Sequence, residues 1–456
     1  MSTRSKQKTE SSKGPVAEKK EKARQTAESM AARQRDISIS EFFSKNRHLL
    51  GFDNPSKALL TAVKEAVDNS LDACEDAGIL PVIKIDIRQL AEDRFRLSVE
   101  DNGPGIVKAQ IPKIFGKLLY GSKFHTLKQA RGQQGIGISA AGMYGLLTTG
   151  KSMVITSRTS SGKPAHYYEI QIDTRKNAPQ VILDRVVEWE SPHGTRVEIE
   201  LIGTYKKGRH SVGDYIRQTA IANPHCEIFY TAPDADDTQH IQRGSDLLPP
   251  EPKEIRPHPY GVELGLLIRM MKETPTRQLS AFLQKEFSRV SPRIAAVICQ
   301  AAELRPKANP RSIAVSEAER LFKAINSVKI MSPATNCLSP IGEDQILSGL
   351  QKEIEADFYT AITRAPAVYR GNPFQVEMGL AYGGKLPSEE LVDLLRFANR
   401  VPLQYQQSGC AITKAVLGID WRNYGLSQSK GALPAGPLVL FVHMASAWVP
   451  FFCPYH

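Results

Sequence analysis

The sequence predicts an α+β protein with several domains. Three observations predict this class. The chain has 456 residues, a long helical pattern precedes two alternating strand patterns between residues 54 and 100, and a helical stretch over residues 261–328 separates two mixed regions. Because one domain rarely exceeds about 250 residues, we expect about two to four domains in this chain.

The composition indicates a cytoplasmic globular protein with a basic surface. Net charge is +11, 41% of residues are hydrophobic and 23% are charged. The charge favours a polyanionic partner, and a solvated basic surface is the alternative. No apolar run approaches the roughly 18 residues of a membrane span, and the N-terminus lacks the apolar segment of a secretory signal. The 6 cysteines are scattered without a CxxC motif, which is typical of reduced thiols rather than a disulfide framework.

Two polar segments divide the chain. Residues 1–36 contain no aromatic residue and predict a disordered basic tail, which either touches DNA or only aids solubility. Residues 232–260 are first rich in Asp and then in Pro, so they predict a linker between domains. A mixed domain is therefore expected over residues 37–231.

A small all-helical domain is predicted over residues 261–335. Ser291-Pro292 supplies a capping side chain and a proline at the first helical position. The run from Ser316 to Glu319 matches a capping box at the start of a later helix. The apolar spacing in this region gives helices with one buried face, which a plain helical core without any ligand explains fully.

The last region, residues 336–456, mixes both element types. We predict helices over Ile346–Ala356 and Glu389–Arg400, and strands over Phe374–Gly379 and Leu438–Met444. No closing helix follows the last apolar run before His456. An α/β unit that ends there is expected to be incomplete.

The most informative element is a helix near the start of the first mixed domain. Asn54-Pro55 predicts its start and Gly78 its end. Three polar residues lie at positions i, i+4 and i+7 of this helix and therefore share one face: Glu65, Asn69 and Asp72. A solvated helix face is the simpler explanation when the helix is taken alone.

A carboxylate follows the neighbouring strands. Val82–Arg88 and Arg94–Val99 alternate like a hairpin with a turn near Glu92. The second strand leads directly into Asp101-Asn102-Gly103-Pro104-Gly105. Such a carboxylate can accept from the amino group of adenine while the ligand packs on the glycine backbone, although a lone DxGxG is also typical of ordinary turns.

A glycine-rich motif comes after a long basic segment. The segment over residues 106–131 includes Lys123 in its lid-like part. The motif Gly132-x-x-Gly135-x-Gly137 then opens a helical pattern over Ile138–Leu147. Glycines before a helix N-terminus expose backbone amides to phosphate groups. No strand precedes the motif as a dinucleotide fingerprint requires, and the P-loop pattern is absent from the sequence.

These motifs, followed by Gly194-Thr195, occur in the order found in the GHKL ATPases, and the chain resembles that family. The family includes gyrase B, MutL, a heat-shock chaperone and histidine kinases. The resemblance implies the GHKL (Bergerat) α/β sandwich for the ATPase domain over residues 37–231. A helix that carries both Glu65 and Asn69 is similar to the gyrase and MutL branch.

A closer resemblance is to the B subunits of type IIB DNA topoisomerases, the topoisomerase VI family. It covers roughly residues 37–450. Five segments carry it: 41–52, 120–125, 131–139, 258–261 and 421–437. It implies a helix–two-turns–helix domain over residues 261–335 and a transducer domain over 336–456. In the family a long helix follows this region and docks on the A subunit, so we expect a truncated, partial transducer here.

The resemblance also implies roles for individual residues. Glu65 would be the general base, Asn69 would ligate Mg²⁺, and Asp101 would accept from adenine with Thr195 in support through water. Lys430 would reach the γ-phosphate of ATP from the transducer domain, and a solvated loop lysine is the alternative. The remaining predicted nucleotide contacts are Gly103, Gly105, Lys123, Gly132, Gln133, Gln134, Gly135, Ile136 and Gly137.

The implied partners follow from the same resemblance. Two B subunits would form a homodimer through their ATPase domains, with residues 37–50 as a strap that reaches across. The helical domain would contact double-stranded DNA, and a separate topoisomerase VI A subunit would cleave it; no membrane is implied. The alternative is an ATP-dependent DNA clamp without strand passage, because the docking helix is missing. A MutL-like protein and a histidine kinase fit less well.

Overall fold

The computed structural model describes residues 45–121, 126–132, 135–173 and 176–449. The predicted tail over 1–36 and most of the predicted strap lie outside these residues. Within the described ranges, no helix is both long enough and apolar enough to cross a membrane. The described chain forms two β-sheets with a helical region between them in sequence.

The first sheet has eight strands in the order β5-β4-β3-β6-β2-β1-β7-β8. Its pairs are antiparallel except for β1 and β7, which are parallel. The strands are β1 Val82–Ala91, β2 Arg94–Asp101, β3 Met153–Arg158, β4 Ala165–Asp173, β5 Ala178–Val187, β6 Gly194–Ile202, β7 Glu227–Thr231 and β8 Gln239–Ile241. The predicted hairpin over residues 82–99 is confirmed by the pairing of β1 with β2.

Helices pack on this sheet and bury one apolar core with it. They are α1 Pro55–Asp76, α2 Ile111–Gly116, α3 Gly137–Thr149 and α4 Val212–Ala222. The predicted start of α1 is confirmed, because the Asn54 side chain accepts from the Ser56 amide at 2.9 Å. The segment 106–131 differs from a plain loop, since α2 forms within it with Pro112 in its first turn.

The segment predicted as a linker contains a strand. β8 lies within residues 232–260 and pairs with β7 at the edge of the first sheet. A three-residue edge strand carries too little periodicity to be recognised from sequence. The proline-rich part that follows contains an isolated β-bridge from Ile255 to Leu127 and a 3₁₀ turn at Pro259–Gly261.

The helical region confirms the predicted element type. Its helices are α5 Leu264–Glu273, α6 Leu279–Glu286, α7 Pro292–Ala301 and α8 Val315–Ser327, and they share a buried core. Ser291 caps α7 as predicted, because its hydroxyl accepts from the Ile294 amide. The capping box predicted at Ser316 is wrong: Ala314 is the N-cap of α8, and only the Glu317 carboxylate contributes, accepting from the Ala314 amide at 3.0 Å.

The second sheet follows helix α9 Glu343–Glu353. Its strands are β9 Phe358–Thr363, β10 Ala367–Tyr369, β11 Asn372–Tyr382, β12 Asp393–Ala398, β13 Val401–Pro402 and β14 Leu438–Ser446. The order is β10-β11-β14-β12-β13, and β9 pairs with β11. Helix α10 Ala411–Leu417 lies between β13 and β14 in sequence. The strands predicted over 374–379 and 438–444 are confirmed as parts of β11 and β14.

The helix predicted over Glu389–Arg400 is wrong, because β12 occupies this segment. β12 runs parallel to the central strand β14, and its residues after Asp393 are buried on both faces. A strand with two buried faces has a nearly continuous apolar sequence, which fits a helical period equally well.

The two sheets are packed through α4 and α9. Ile221 and Ala222 at the end of α4 belong to the same buried cluster as Ile346 of α9 and Phe441 of β14. The fit is close, because a Cβ added at Gly349 would lie 2.1 Å from the Ile221 carbonyl oxygen. Movement between the sheets therefore has to displace a packed core.

Candidate functional site

Helix α1 presents two of its predicted polar residues to a large cavity. Glu65 and Asn69 both line it. The Glu65 carboxylate lies against the start of α3, since a Cβ added at Gly137 would lie 1.7 Å from Glu65 Oε2. A carboxylate and an amide thus face the same space as the N-terminus of α3.

A partly buried lysine lies beside the Glu65 carboxylate. Lys64 Nζ is 3.5 Å from Glu65 Oε1 and 3.0 Å from Asp68 Oδ2. Asp68 is held from the other side by the Tyr215 hydroxyl of α4 at 3.0 Å. Burial opposes the charge of Lys64, but these two carboxylates raise the pKa of the lysine above its ordinary value. Lys64 therefore remains a cation next to the predicted general base.

Asp101 lies at the end of β2 and forms the other wall of the cavity. Its Oδ1 accepts from the Gly103 amide at 2.8 Å and the Thr195 amide at 3.2 Å, and its Oδ2 accepts from the Ser70 hydroxyl at 3.1 Å. Burial raises the pKa of Asp101 to about 6, although these hydrogen bonds lower it. Among the described residues, Oδ2 accepts one hydrogen bond, so it can also accept one from a ligand.

The backbone around Asp101 approaches itself closely at two glycines. Gly194 has φ +130°, and a Cβ there would lie 2.0 Å from the Asp101 carbonyl oxygen. Gly105 has φ +68°, and a Cβ there would lie 2.0 Å from the Arg158 carbonyl oxygen. Only glycine fits these positions, so the predicted DxGxG and Gly-Thr motifs meet where β2, β3 and β6 run side by side.

Hydroxyl groups complete this end of the cavity. The Thr195 hydroxyl lies 3.1 Å from the Ser157 hydroxyl. Ser157 Oγ also accepts from the Ile106 amide at 2.8 Å. The loop after Gly105 is thereby fixed to β3.

The predicted phosphate-binding glycines line the same cavity as Asp101. Gly132, Gly135, Ile136 and Gly137 line the cavity, and α3 begins at Gly137 with Ile136 as its N-cap residue. Amides at a helix N-terminus favour anions through hydrogen bonding and the helix dipole. The carboxylate of Asp101 and the anion-binding N-terminus of α3 therefore face the same cavity. This is the arrangement that a nucleotide requires.

The cavity has a volume of about 1910 Å³. Part of its wall comes from the second sheet region, through residues 401–406 and 408–412. His210, which precedes α4, contacts this wall with its Nδ1 at 3.0 Å from Gln404 Oε1. The cavity therefore lies between the two sheets.

Some predicted residues are placed elsewhere. Gly103 does not line the cavity but donates its amide to Asp101. Asp72 is also absent from the wall, because it is paired with Arg131 at 2.8 Å. Lys430 lies in an exposed turn away from the cavity wall. Three further predicted contacts lie outside the described residues: Lys123, Gln133 and Gln134.

Sequence reasoning missed three residues that support the site. Lys64 and Ser70 flank the predicted pair on α1, and Arg131 directly precedes the glycine motif. The local signal for Lys64 is its place four residues before Asp68 on a helix, where opposite charges meet. Nothing local pointed to the contacts of Ser70 and Arg131, because their partners are 31 or more positions away in sequence.

The residues present fit a magnesium ion that is bound mainly by substrate phosphates. The Asn69 side chain is exposed to the cavity and offers one hard oxygen ligand. Within the described ranges, no cluster of three or more His, Cys, Asp or Glu side chains could hold a metal by itself. Mg²⁺ typically keeps several waters and uses one or two protein ligands plus phosphate oxygens.

Fold and cavity together define an ATPase domain of the GHKL class. Residues 54–202 match the model of the histidine kinase-, DNA gyrase B- and HSP90-like ATPases. Residues 333–454 match the model of the topoisomerase VI B subunit transducer. The first match covers the elements from α1 to β6 of the first sheet, and the second covers α9 and the second sheet.

Relatives identify the particular family. The B subunit of the type 2 DNA topoisomerase 6 from Methanosarcina barkeri is 52% identical, with 93% of this chain and 68% of the relative covered. The protein of that name from Archaeoglobus fulgidus is 48% identical, with 92% and 70% covered. The one from Natronomonas pharaonis is 36% identical, with 93% and 76% covered. The chain belongs to the family of type 2 DNA topoisomerase 6 B subunits.

Proposed function

We propose that this chain is the ATP-binding and ATP-hydrolysing B subunit of a type IIB DNA topoisomerase. ATP-driven dimerisation would control passage of one DNA duplex through another that a separate A subunit cleaves. One observation carries the proposal: a single cavity brings together Glu65, Asn69 and Asp101 with the glycines at the start of α3. The family membership of the chain supports the same function.

ATP would lie across the cavity with its adenine at Asp101. The carboxylate would accept from the exocyclic amino group through Oδ2, which has one hydrogen bond from the protein. Thr195 would support this contact through water. The triphosphate would lie on the amides at Gly135 and Gly137, where the dipole of α3 favours negative charge.

Hydrolysis would use Glu65 as the general base. Its carboxylate would orient a water and accept its proton while the water oxygen attacks the γ-phosphorus. The bond from that phosphorus to the β–γ bridging oxygen then breaks, and ADP and phosphate leave. Lys64, whose Nζ lies 3.5 Å from Glu65 Oε1, would hold the carboxylate in position. Such phosphoryl transfer depends mainly on positioning and charge neutralisation.

Magnesium would be held by Asn69 together with phosphate oxygens. When bound, the ion neutralises charge on the phosphates. Lys430 would contact the γ-phosphate only after a movement of the second sheet region, because its turn lies away from the cavity wall.

The DNA contact is proposed for the helical region between the sheets. The connection between α7 and α8 carries Arg305, Lys307 and Arg311, and all three are exposed. Lysine and arginine side chains of this kind bind phosphates without reading the sequence, so the affinity would fall with salt. The homodimer would form through the ATPase domains.

The test is ATP turnover by Glu65→Gln with duplex DNA and a cognate A subunit present. We expect a loss of about 10²–10⁴-fold in phosphate release, which is the usual contribution of a general base, with ATP binding retained. Glu92→Gln is the matched control, because Glu92 lies in the exposed turn between β1 and β2. Normal turnover by Glu65→Gln would show that Glu65 is not the base.

A further inference from the structure

The segment Leu127–Arg131 directly precedes the glycine motif and is fixed at two points. Its last residue, Arg131, is bound to helix α1, and its middle residues are bound to the region of the second sheet. Arg131 itself lines the cavity, whereas Gln129 does not. The terminal guanidinium nitrogens of Arg131 are nevertheless bound to protein acceptors. The segment is therefore a candidate for positioning the phosphate-binding glycines.

The first anchor is the Arg131 side chain, which is 3% exposed. Its guanidinium donates to Asp72 Oδ1 at 2.8 Å and to both oxygens of Glu75 at 2.7 and 2.6 Å. It also donates to Asn223 Oδ1 at 2.6 Å. Although burial acts against it, Arg131 keeps the pKa of Glu75 well below its usual range. This bidentate pair fixes Arg131 relative to the helix that carries Glu65 and Asn69.

A histidine also binds the Glu75 carboxylate of this anchor. His225 Nε2 lies 2.7 Å from Glu75 Oε1. Burial lowers the pKa of His225, although Glu75 acts to raise it, so a neutral ring donating to the carboxylate fits the contact. The Glu75 carboxylate is therefore bound by both Arg131 and His225, which restrains its position.

The second anchor is Gln129, which is bound to Ser339 in both directions. Its side-chain amide donates to the Ser339 carbonyl at 3.0 Å and accepts from the Ser339 amide at 2.7 Å. Its backbone amide donates to the Cys337 carbonyl at 3.0 Å. The next carbonyl, that of Ala130, accepts from Asn399 at 2.9 Å. Asn399 follows β12 directly, so this anchor reaches the second sheet.

We propose that Leu127–Arg131 is a brace, with Arg131 and Gln129 as positioning residues that fix the phosphate-binding glycines between α1 and the second sheet. Gly132 lines the cavity and is covalently joined to Arg131. A displacement of the second sheet would pull on Gln129 and so shift the glycines relative to Glu65 and Asn69. The inference rests on the proposed ATP site.

The experiment compares a ligand with phosphates to one without them. Affinity for the β,γ-imido analogue of ATP is measured by calorimetry, and affinity for adenosine by saturation-transfer NMR. We expect Arg131→Lys and Gln129→Ala each to weaken binding of the analogue about tenfold or more, which is the effect of losing one hydrogen bond to a charged phosphate. Adenosine affinity should stay unchanged, because adenosine uses the Asp101 end of the cavity.

Arg94→Ala is the matched control. Arg94 lies in the first sheet, pairs with Glu200 at 2.7 Å and does not line the cavity. The affinities of this variant for the analogue and for adenosine should therefore match those of the wild type. Wild-type affinity for the analogue in either brace variant would overturn the inference, as would an equal loss for both ligands. Absence of ATP binding by the wild type would instead overturn the proposed function.

Discussion

The two sheets each bury a carboxylate, and the two carboxylates differ in how completely they are hydrogen-bonded. Glu377 of β11 accepts from the amides of Ile341 and Gly342, both at 2.7 Å, from the Thr363 hydroxyl at 2.9 Å and from His443 Nδ1 at 2.7 Å. Asp101 of β2 accepts from three protein donors and faces a cavity. A carboxylate accepts about four hydrogen bonds, so Glu377 is satisfied and Asp101 is not.

The pKa values of the two groups follow this difference. Burial acts to raise both, yet the donors around Glu377, led by His443, bring its pKa down to about 2. Asp101 stays at about 6, because burial outweighs its three hydrogen bonds. The Arg400 amide donates to His443 Nε2 at 3.0 Å, so the ring proton is on Nδ1 and points at Glu377. A satisfied buried carboxylate serves the fold, whereas an incompletely satisfied one in a cavity indicates a ligand.

The largest effect is expected from removing the satisfied carboxylate. Glu377→Ala leaves two backbone amides, a hydroxyl and a buried imidazole without their acceptor. Breaking such a buried pair typically costs about 3–5 kcal/mol. We expect a loss of this size in the free energy of unfolding of the second sheet region, measured by chemical denaturation.

Glu355→Ala is the control for this variant. Glu355 pairs with Lys385 in the same region, and its side chain is 71% exposed. Exposed ion pairs contribute about 0–1 kcal/mol, so little change is expected. Equal stability of the two variants would mean that the satisfied carboxylate does not hold the second sheet region together.

A smaller effect, and on binding rather than stability, is expected from Asp101→Asn. The amide group would present a donor to the amino group of adenine, where the carboxylate presents an acceptor. Hydrogen bonds to charged groups contribute about 1.5–3 kcal/mol, so ATP affinity should fall by about one to two orders of magnitude. Unfolding should change little, since a buried charge is removed. A calorimetric titration showing wild-type affinity would remove Asp101 from the adenine site.

Much of the first sheet and its cavity followed from local sequence signals. Asn54-Pro55 fixed the start of α1, and the alternation before Asp101 predicted β1 and β2. These signals are local because caps and strand alternation depend on neighbours in sequence. The roles of the predicted site residues stay predictions, although the structure places Glu65, Asn69 and Asp101 around one cavity.

The second sheet and the brace are less predictable from the sequence than the first sheet, because the contacts that define them join residues distant in sequence. β12 was predicted as a helix because a strand buried on both faces lacks alternation. Arg131 reaches Glu75 across 56 positions, and Glu377 reaches His443 across 66. No local pattern links such partners, so only the fold reveals them.

The smallest effect is the dependence of ATP affinity on pH. The two carboxylates differ here, because their pKa values are shifted in opposite directions from the ordinary values. The folded-state pKa of Asp101 lies above its ordinary value of 3.8, so protonation removes the acceptor as pH falls through about 6. The folded-state pKa of Glu377 lies below its ordinary value of 4.5. Its contribution to stability is therefore fully present above that value and is lost only as pH falls toward about 2.

The most direct measurement is the ATP dissociation constant of the wild type and of Asp101→Asn between pH 5 and pH 8. From the Asp101 pKa, we expect wild-type affinity to fall about tenfold between pH 7.5 and pH 5 while the second sheet region stays folded. The phosphates of ATP also titrate, but they do so equally in both proteins. We expect a steeper fall for the wild type, and parallel curves would show that the Asp101 carboxylate does not bind ATP.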